Sequence, residues 1–459
     1  MLSSPTTTIL GVDPSLRACI LNGNTFQQDA ILSFSGWQYA VFYSPKPGGL
    51  GHKILLVHLA RRKLPNGDWD LVVFDDYEQT ADDGHNTVQM GICAGDGTIH
   101  LSFDHHCDRC KHPTHPRNKA TDTAARLKYR HSVKGLAGSP PLFHWSARLF
   151  SPISDQLPGL SISDYHFNAL TYPRFGFLGD DMFFSARNGQ AGQGDDLFYV
   201  YRAATASYEY VGTHLKGINN SPYVHGVDYR FGRLQVTWVY RGFAYYKELG
   251  DPHSSAHKQH AGPNGPENNY NICYAYSDDG GYTWNNGQEQ TIARLTRGES
   301  VLPDSPGIVA FDIPKRCGLM NQESQAVDRE GGIHVLNRCV MDGQTVWTNF
   351  YRAPSEGSWM KSKICAAPSN SRGSIAASRD GDIYVVLPHP TTRTLKVYKS
   401  SNRSGFRTFS EVWAGQHYVG EPLIDRGRLQ EEGVLSIFNL QEATDSQAGR
   451  SVVILDFQV

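Results

Sequence analysis

One local pattern recurs along this chain and limits what it can fold into: a turn built on Asp, Glu or Gly feeding a short strand of alternating side chains. Trp37-Gln38-Tyr39-Ala40-Val41-Phe42-Tyr43 reads as such a strand, and the pattern returns at 96–101, 179–184, 231–236, 330–335, 380–385 and 432–437. Seven occurrences, at intervals of about fifty residues or more, are what the inner hairpins of propeller blades look like, with unequal intervals reflecting loops inserted between blades. The expected fold is therefore all-β, a seven-bladed β-propeller, forming one catalytic domain over residues 1–459.

A second motif agrees. Ser277-Asp278-Asp279-Gly280-Gly281-Tyr282-Thr283-Trp284 fits the Asp-box pattern Ser-x-Asp-x-Gly-x-Thr-Trp. Its Asp and Gly close a tight turn between two strands and its Trp packs beneath. The motif bears on fold and not on chemistry.

Composition narrows the classes of function. Plentiful aromatics, with 45 Gly and 24 Pro and no long amphipathic run, favour strands over helices. A formal net charge of −2 provides no global field for nucleic acid or an acidic membrane, so any hold on an anion must come from a local group of Arg and His. No apolar run is long enough to cross a bilayer, so no membrane partner is expected.

The stretch richest in chemistry is Asp82-Asp83-Gly84-His85-Asn86, followed by two apolar runs around Gly95-Asp96-Gly97 and then Asp104-His105-His106. The two runs read as a hairpin whose outer ends carry His85 and His105. His100, inside the second run, reads as a structural histidine, and so does His106. Thr171-Tyr172-Pro173-Arg174-Phe175 and Arg187-Asn188-Gly189 read as a further hairpin, and Asn321-Gln322-Glu323 follows later; that last triplet either binds a sugar hydroxyl or knits two blades together.

In order and spacing these segments resemble the seven-bladed β-propeller polysaccharide lyases, a group that includes the ulvan lyases and the fungal L-rhamnose-α-1,4-D-glucuronate lyases acting on gum arabic. The resemblance covers most of the chain, and its overall character is nearest the rhamnose–glucuronate lyases. It implies β-elimination at a glucuronate: cleavage of the bond to O4, a 4,5-unsaturated uronate as product, and release of terminal L-rhamnose from gum arabic-type caps. Such a reaction needs a cation on the carboxylate, a base for the C5 proton and an acid for the departing O4. Arg meets a carboxylate with two parallel hydrogen bonds, while His and Tyr suit proton transfer. The resemblance puts Arg187 on the carboxylate, aided by Asn86, leaves His85 and Tyr172 to divide the base and acid roles, and gives His105 the orientation of substrate. Arg174 competes with Arg187 for the carboxylate, or pairs with Asp180 or Asp181. Tyr223, His225 and Arg241 fall where a further blade presents loops, and are weaker substrate-binding candidates.

No cofactor is required for this chemistry. Related lyases carry structural metals, zinc or calcium, and the stretch with metal-like spacing is His106, Cys107, Cys110 and His112. The same two cysteines equally fit a disulfide, and the even total of eight permits several. The triplets Asn219-Asn220-Ser221 and Asn402-Arg403-Ser404 are glycosylation acceptors, which together with the N-terminus suggests a secreted mature chain without its signal peptide. The expected partner is an acidic polysaccharide or oligosaccharide, and a monomer is expected. A sialidase-like hydrolase, which needs paired carboxylates or a Tyr nucleophile, and a non-catalytic glycan-binding propeller are the other classes compatible with an Asp box.

Overall fold

The computed structural model describes residues 1–13, 19–27, 29–46, 54–109, 127–161, 169–243, 265–354, 357–442 and 449–459. The architecture is all-β, a seven-bladed β-propeller made of seven antiparallel sheets. Each of the seven turn–strand units read from the sequence supplies one strand to a different sheet: Trp37–Pro45, Ile99–Phe103, Asp181–Gln190, Arg233–Gly242, Ile333–Met341, Asp382–His389 and Val434–Glu442. Each pairs with the strand just before it, and every connecting turn holds a glycine at positive φ: Gly36, Gly97, Gly179, Gly232, Gly331, Gly381 and Gly433. Left-handed backbone is nearly free only for glycine, so these residues set where each hairpin folds back.

The chain divides into two compact units. The first comprises Met1–Met90, Val133–Phe150 and Gln322–Val459. Its last sheet is closed by the beginning of the chain, because Thr6–Asp13 pairs with Arg450–Gln458. Apolar clusters lie between successive sheets: Leu336, Trp347, Ile375 and Val385 pack in one, and Val397, Ile437, Val453 and Leu455 in the next. The strands contributing them are buried along most of their length.

The second unit comprises Gly91–Ser132 and Ser151–Asn321. One cluster in it joins Phe183, Phe198, Val236, Trp238 and Trp284. Trp284 is the Asp-box tryptophan and is fully buried, donating from Nε1 to Gly281 O at 2.9 Å. Asp279 Oδ1 accepts from Tyr282 N and Thr283 N at 3.1 and 2.8 Å, as the motif requires. Gly281 has φ +99°, and a Cβ there would stand 2.5 Å from Phe198 Cε1. Gly281→Ala is therefore expected to cost about 1–3 kcal/mol, read as a lower urea midpoint with an unchanged slope.

His100 is structural, as expected. It is fully buried, with Nδ1 2.6 Å from Tyr129 OH and Nε2 2.7 Å from Thr98 Oγ1. Burial, with the neighbouring His131, holds its pKa well below the usual imidazole range. Cys19, Cys93, Cys273, Cys317, Cys339 and Cys365 are thiols outside any disulfide.

Candidate active site

In the second unit the strand Ala169–Leu178 pairs with Asp181–Gln190, and the register breaks between Thr171 and Arg174. Tyr172 and Pro173 occupy the break, with Tyr172 at φ +58°. A bulge re-aims a side chain, and an aromatic residue held in left-handed backbone stores strain that only its surroundings maintain. The proline on its C-terminal side and the two flanking pairings supply that restraint here.

Thr171 sits directly opposite Arg187 in this register, and His106 sits opposite Thr171 on the other side. Arg187 is buried; Nη1 donates to Tyr223 OH at 2.8 Å and Nη2 to Thr171 Oγ1 at 3.0 Å. Both acceptors are neutral hydroxyls, and the two bonds fix the guanidinium's direction. Its Cζ lies 4.9 Å from the Tyr172 ring centroid and 5.4 Å from that of Tyr223. Arg241 completes the row, 4.5 Å from the Tyr223 ring. Asn269 Oδ1 at 2.9 Å and Asn321 Oδ1 at 2.5 Å accept from its Nε and Nη2. Tyr172, Arg187, Tyr223 and Arg241, four residues drawn from separate segments of sequence, thus form one continuous group of phenols and guanidiniums.

His105 belongs to the same unit and is fully buried. It follows Asp104 in a pair of left-handed residues, φ +65° and +79°. Lys128 N donates to its Nε2 at 3.0 Å, so Nδ1 carries the proton of the neutral ring. His225 is buried in a second bulge, between Val224 and Gly226 of Asn220–Arg230.

Arg174 corrects one sequence expectation. Its Nη1 and Nη2 both donate to Asp196 Oδ2, at 3.0 and 3.1 Å, and Nη1 also donates to Ser185 Oγ. Asp181 pairs instead with Arg202 at 2.7 Å. The Arg174 charge is balanced inside the sheet by the buried Asp196 carboxylate, and not by Asp180 or Asp181.

In the first unit, His85 and Asn86 sit in a turn anchored by Asn24, whose Nδ2 donates to Gly84 O at 3.2 Å. Asp83 Oδ1 accepts from His85 N at 3.0 Å and lies 2.7 Å from His85 Nδ1. A carboxylate can only accept, so Nδ1 carries the proton of the neutral imidazole and Nε2 keeps the lone pair. The ring stacks on Phe26 with centroids 5.5 Å apart and 15° between planes. Asn86 Oδ1 is buried with no hydrogen-bond partner among the described residues. Glu323 Oε2 accepts from Gly373 N at 3.1 Å, joining the segments that lead into the strands Ser324–Val327 and Ser374–Ala377.

Sequence reading missed Asp83 as the partner of His85, although the two-residue spacing is a usual one for a carboxylate that turns back on its own chain. It also missed Phe26, Thr171 and Asn269, for which no local signal exists. Of the metal candidates, Cys110 and His112 and the Cys107 side chain lie outside the described residues, while His106 is buried in the strand beside Thr171.

A family model described as a BNR repeat-containing family member matches residues 37–367. The crystal structure of polysaccharide lyase Uly1 aligns with a TM-score of 0.69 at 17% identity, covering 94% of this chain and 90% of that one. A PL25 ulvan lyase aligns at 0.64 and 13% identity, covering 97% of this chain and 95% of that one. The same ulvan lyase bound to -[GlcA(1-4)Rha3S]- aligns at 0.64 and 12%. No curated protein matches the sequence.

Proposed function

This chain belongs to the BNR repeat-containing family, and from that premise and the geometry above we propose that it is a polysaccharide lyase cleaving the bond to O4 of a glucuronate by β-elimination. The observation carrying this reading is the buried Arg187, fixed by two neutral hydroxyls beside the Tyr172 phenol. A uronate carboxylate is a fitting partner for such a guanidinium, and its neutralisation makes the C5 proton removable. The structural neighbours are polysaccharide lyases, one of them an ulvan lyase bound to a glucuronate-containing oligosaccharide, which supports the same reaction class.

Proton transfer is divided as follows. In the second unit Tyr172 protonates the departing O4, and in the first unit the tautomer of His85 set by Asp83 leaves Nε2 able to accept a proton. Asn86, Tyr223, His225 and Arg241 contribute to substrate binding, and His105 orients the sugar. The preferred substrate is a rhamnosyl-α-1,4-glucuronate cap of gum arabic type, with ulvan the alternative. Polymers of this kind lie outside cells, which supports secretion as part of the proposal.

Incubation with gum arabic, ulvan and other uronate polymers, followed in the ultraviolet, tests the reading. A lyase generates the conjugated 4,5-unsaturated uronate, whereas a new reducing end without absorbance indicates a hydrolase and overturns it. Asp83→Asn is expected to lower kcat more than it raises KM, because the imidazole loses the partner that fixes its tautomer; steady-state kinetics on the best polymer read this directly.

A further inference from the structure

A cavity of about 460 Å³ opens in the second unit, between the short strand Tyr129–His131 and the segment 151–160. That segment is pinned at three points. Ser151 N donates to His131 O at 2.9 Å, and Ser151 Oγ accepts from His131 N at 3.2 Å; Ser154 and Tyr129 exchange both backbone bonds, at 2.8 and 3.1 Å; Pro158 O accepts from Tyr208 N at 2.7 Å. Pro152 and Pro158 further restrict the segment, so the wall stands before any ligand arrives and little ordering entropy opposes binding.

His131 is part of the lining. Its half-buried ring stacks on those of Tyr129 and His100, with centroids 5.9 and 6.0 Å away and 29° and 28° between planes. Nδ1 is buried with no hydrogen-bond partner among the described residues, and the bonds this residue makes are those of its backbone. Burial lowers the imidazole pKa against the pull of Asp96, so near neutral pH the ring is uncharged and offers one donor and one acceptor. An unmatched polar nitrogen away from water is costly, and a hydroxyl, which both donates and accepts, matches such a ring.

The rest of the lining fixes the class of ligand. Asp155 brings a carboxylate, and neither Lys nor Arg is among the described residues around the cavity, so an anionic group is disfavoured. Ile153 and Leu157 supply apolar surface and Gln156 a carboxamide, a mixture suited to a ring that has C–H faces as well as hydroxyls. None of these residues belongs to the group of Tyr172, Arg187, Tyr223 and Arg241.

We propose that this cavity is an accessory glycan-binding site that takes a neutral sugar unit of the polysaccharide whose uronate is cleaved elsewhere on the chain. The choice of a sugar rests on the polysaccharide-lyase reading. A polymer held there keeps its uronates at raised local concentration.

The test is affinity electrophoresis of the whole chain through carboxyl-reduced gum arabic and through ulvan both desulfated and carboxyl-reduced, polymers with no anion for Arg187 to hold. Wild type should be retarded by at least one of them. His131→Phe, which keeps a stacking ring and loses both nitrogens, should bind that polymer about tenfold more weakly. Ile153→Trp, which fills the cavity from its other wall, should weaken binding likewise, with a thermal scan establishing that each variant is folded. On the native polymer His131→Phe should raise KM and leave kcat unchanged, and on a disaccharide, which occupies the uronate site alone, both constants should match wild type. No retardation of the wild type, retardation of a folded variant equal to that of the wild type, or a fall in kcat on the disaccharide overturns the proposal. A wild type that binds the neutral polymers but forms no unsaturated uronate from the native ones contradicts the lyase reading and leaves this site standing.

Discussion

Tyr172→Phe should lose about 10²–10⁴-fold in kcat on a glucuronate polymer while keeping its thermal midpoint. The substitution removes one oxygen and leaves the ring, which continues to pack against Arg187 and Tyr223, with centroids of the two tyrosines 6.2 Å apart. The left-handed backbone at φ +58° is equally strained in both proteins, so the fold is unaffected to first order. What disappears is the proton that would pass to O4. The measurement is initial rate by absorbance at saturating substrate, alongside a thermal scan. Near-normal kcat in a folded variant removes Tyr172 from the chemistry and leaves the acid role to another group.

The second large effect is on stability. Asp196→Ala should destabilise the protein by about 3–5 kcal/mol, because it leaves the Arg174 guanidinium buried and uncompensated. Asp196 is fully buried, accepting two bonds from Arg174 on Oδ2, with His214 Nε2 2.8 Å from Oδ1. Burial alone would raise its pKa, but Arg174 and His214 overcome this and hold it below the ordinary carboxylate value. A depressed folded-state pKa stabilises above the unfolded value of about 3.9 and loses that stability as pH falls through the folded one. The gap between wild type and Asp196→Ala in urea denaturation should therefore be widest near neutrality and shrink in acid. A gap that stays constant into acid would mean that the carboxylate charge is not what stabilises this part of the sheet.

These two predictions differ in how far the sequence announces them. Tyr172 and Arg187 stand fifteen residues apart around Gly179, and a hairpin pattern with a glycine turn is a local signal that places them on paired strands. All seven blade hairpins were legible for the same reason: each needs a glycine at positive φ followed by an alternating run, and both features occupy adjacent residues. The Asp box is legible because its hydrogen bonds close within eight residues.

The bulge at Tyr172–Pro173 and the left-handed pair Asp104–His105 were not legible, since neither residue type demands that backbone and only tertiary packing imposes it. The Arg174 ion pair was not legible on similar grounds. Its partner Asp196 lies two strands away, across Asp181–Gln190, and nearer acids at 180 and 181 were the more obvious choices from sequence. The ion pairs of Glu323 with Arg338 and of Arg372 with Glu421 join residues fifteen and forty-nine apart, so no short window of sequence announces them. Asn321-Gln322-Glu323 was nonetheless recognisable as a junction, and it divides its labour: Asn321 accepts from Arg241 in one unit while Glu323 joins segments leading into strands in the other.

The claim on which the account turns is that the bond breaks by elimination at a uronate. Mass spectrometry of the fragments from a defined rhamnosyl-α-1,4-glucuronate oligosaccharide tests it most directly. Elimination leaves the fragment carrying the former glucuronate lighter by one water than hydrolysis would, with rhamnose released intact, and this is the predicted result. A glucuronate fragment bearing the full mass of the hydrated sugar would contradict it.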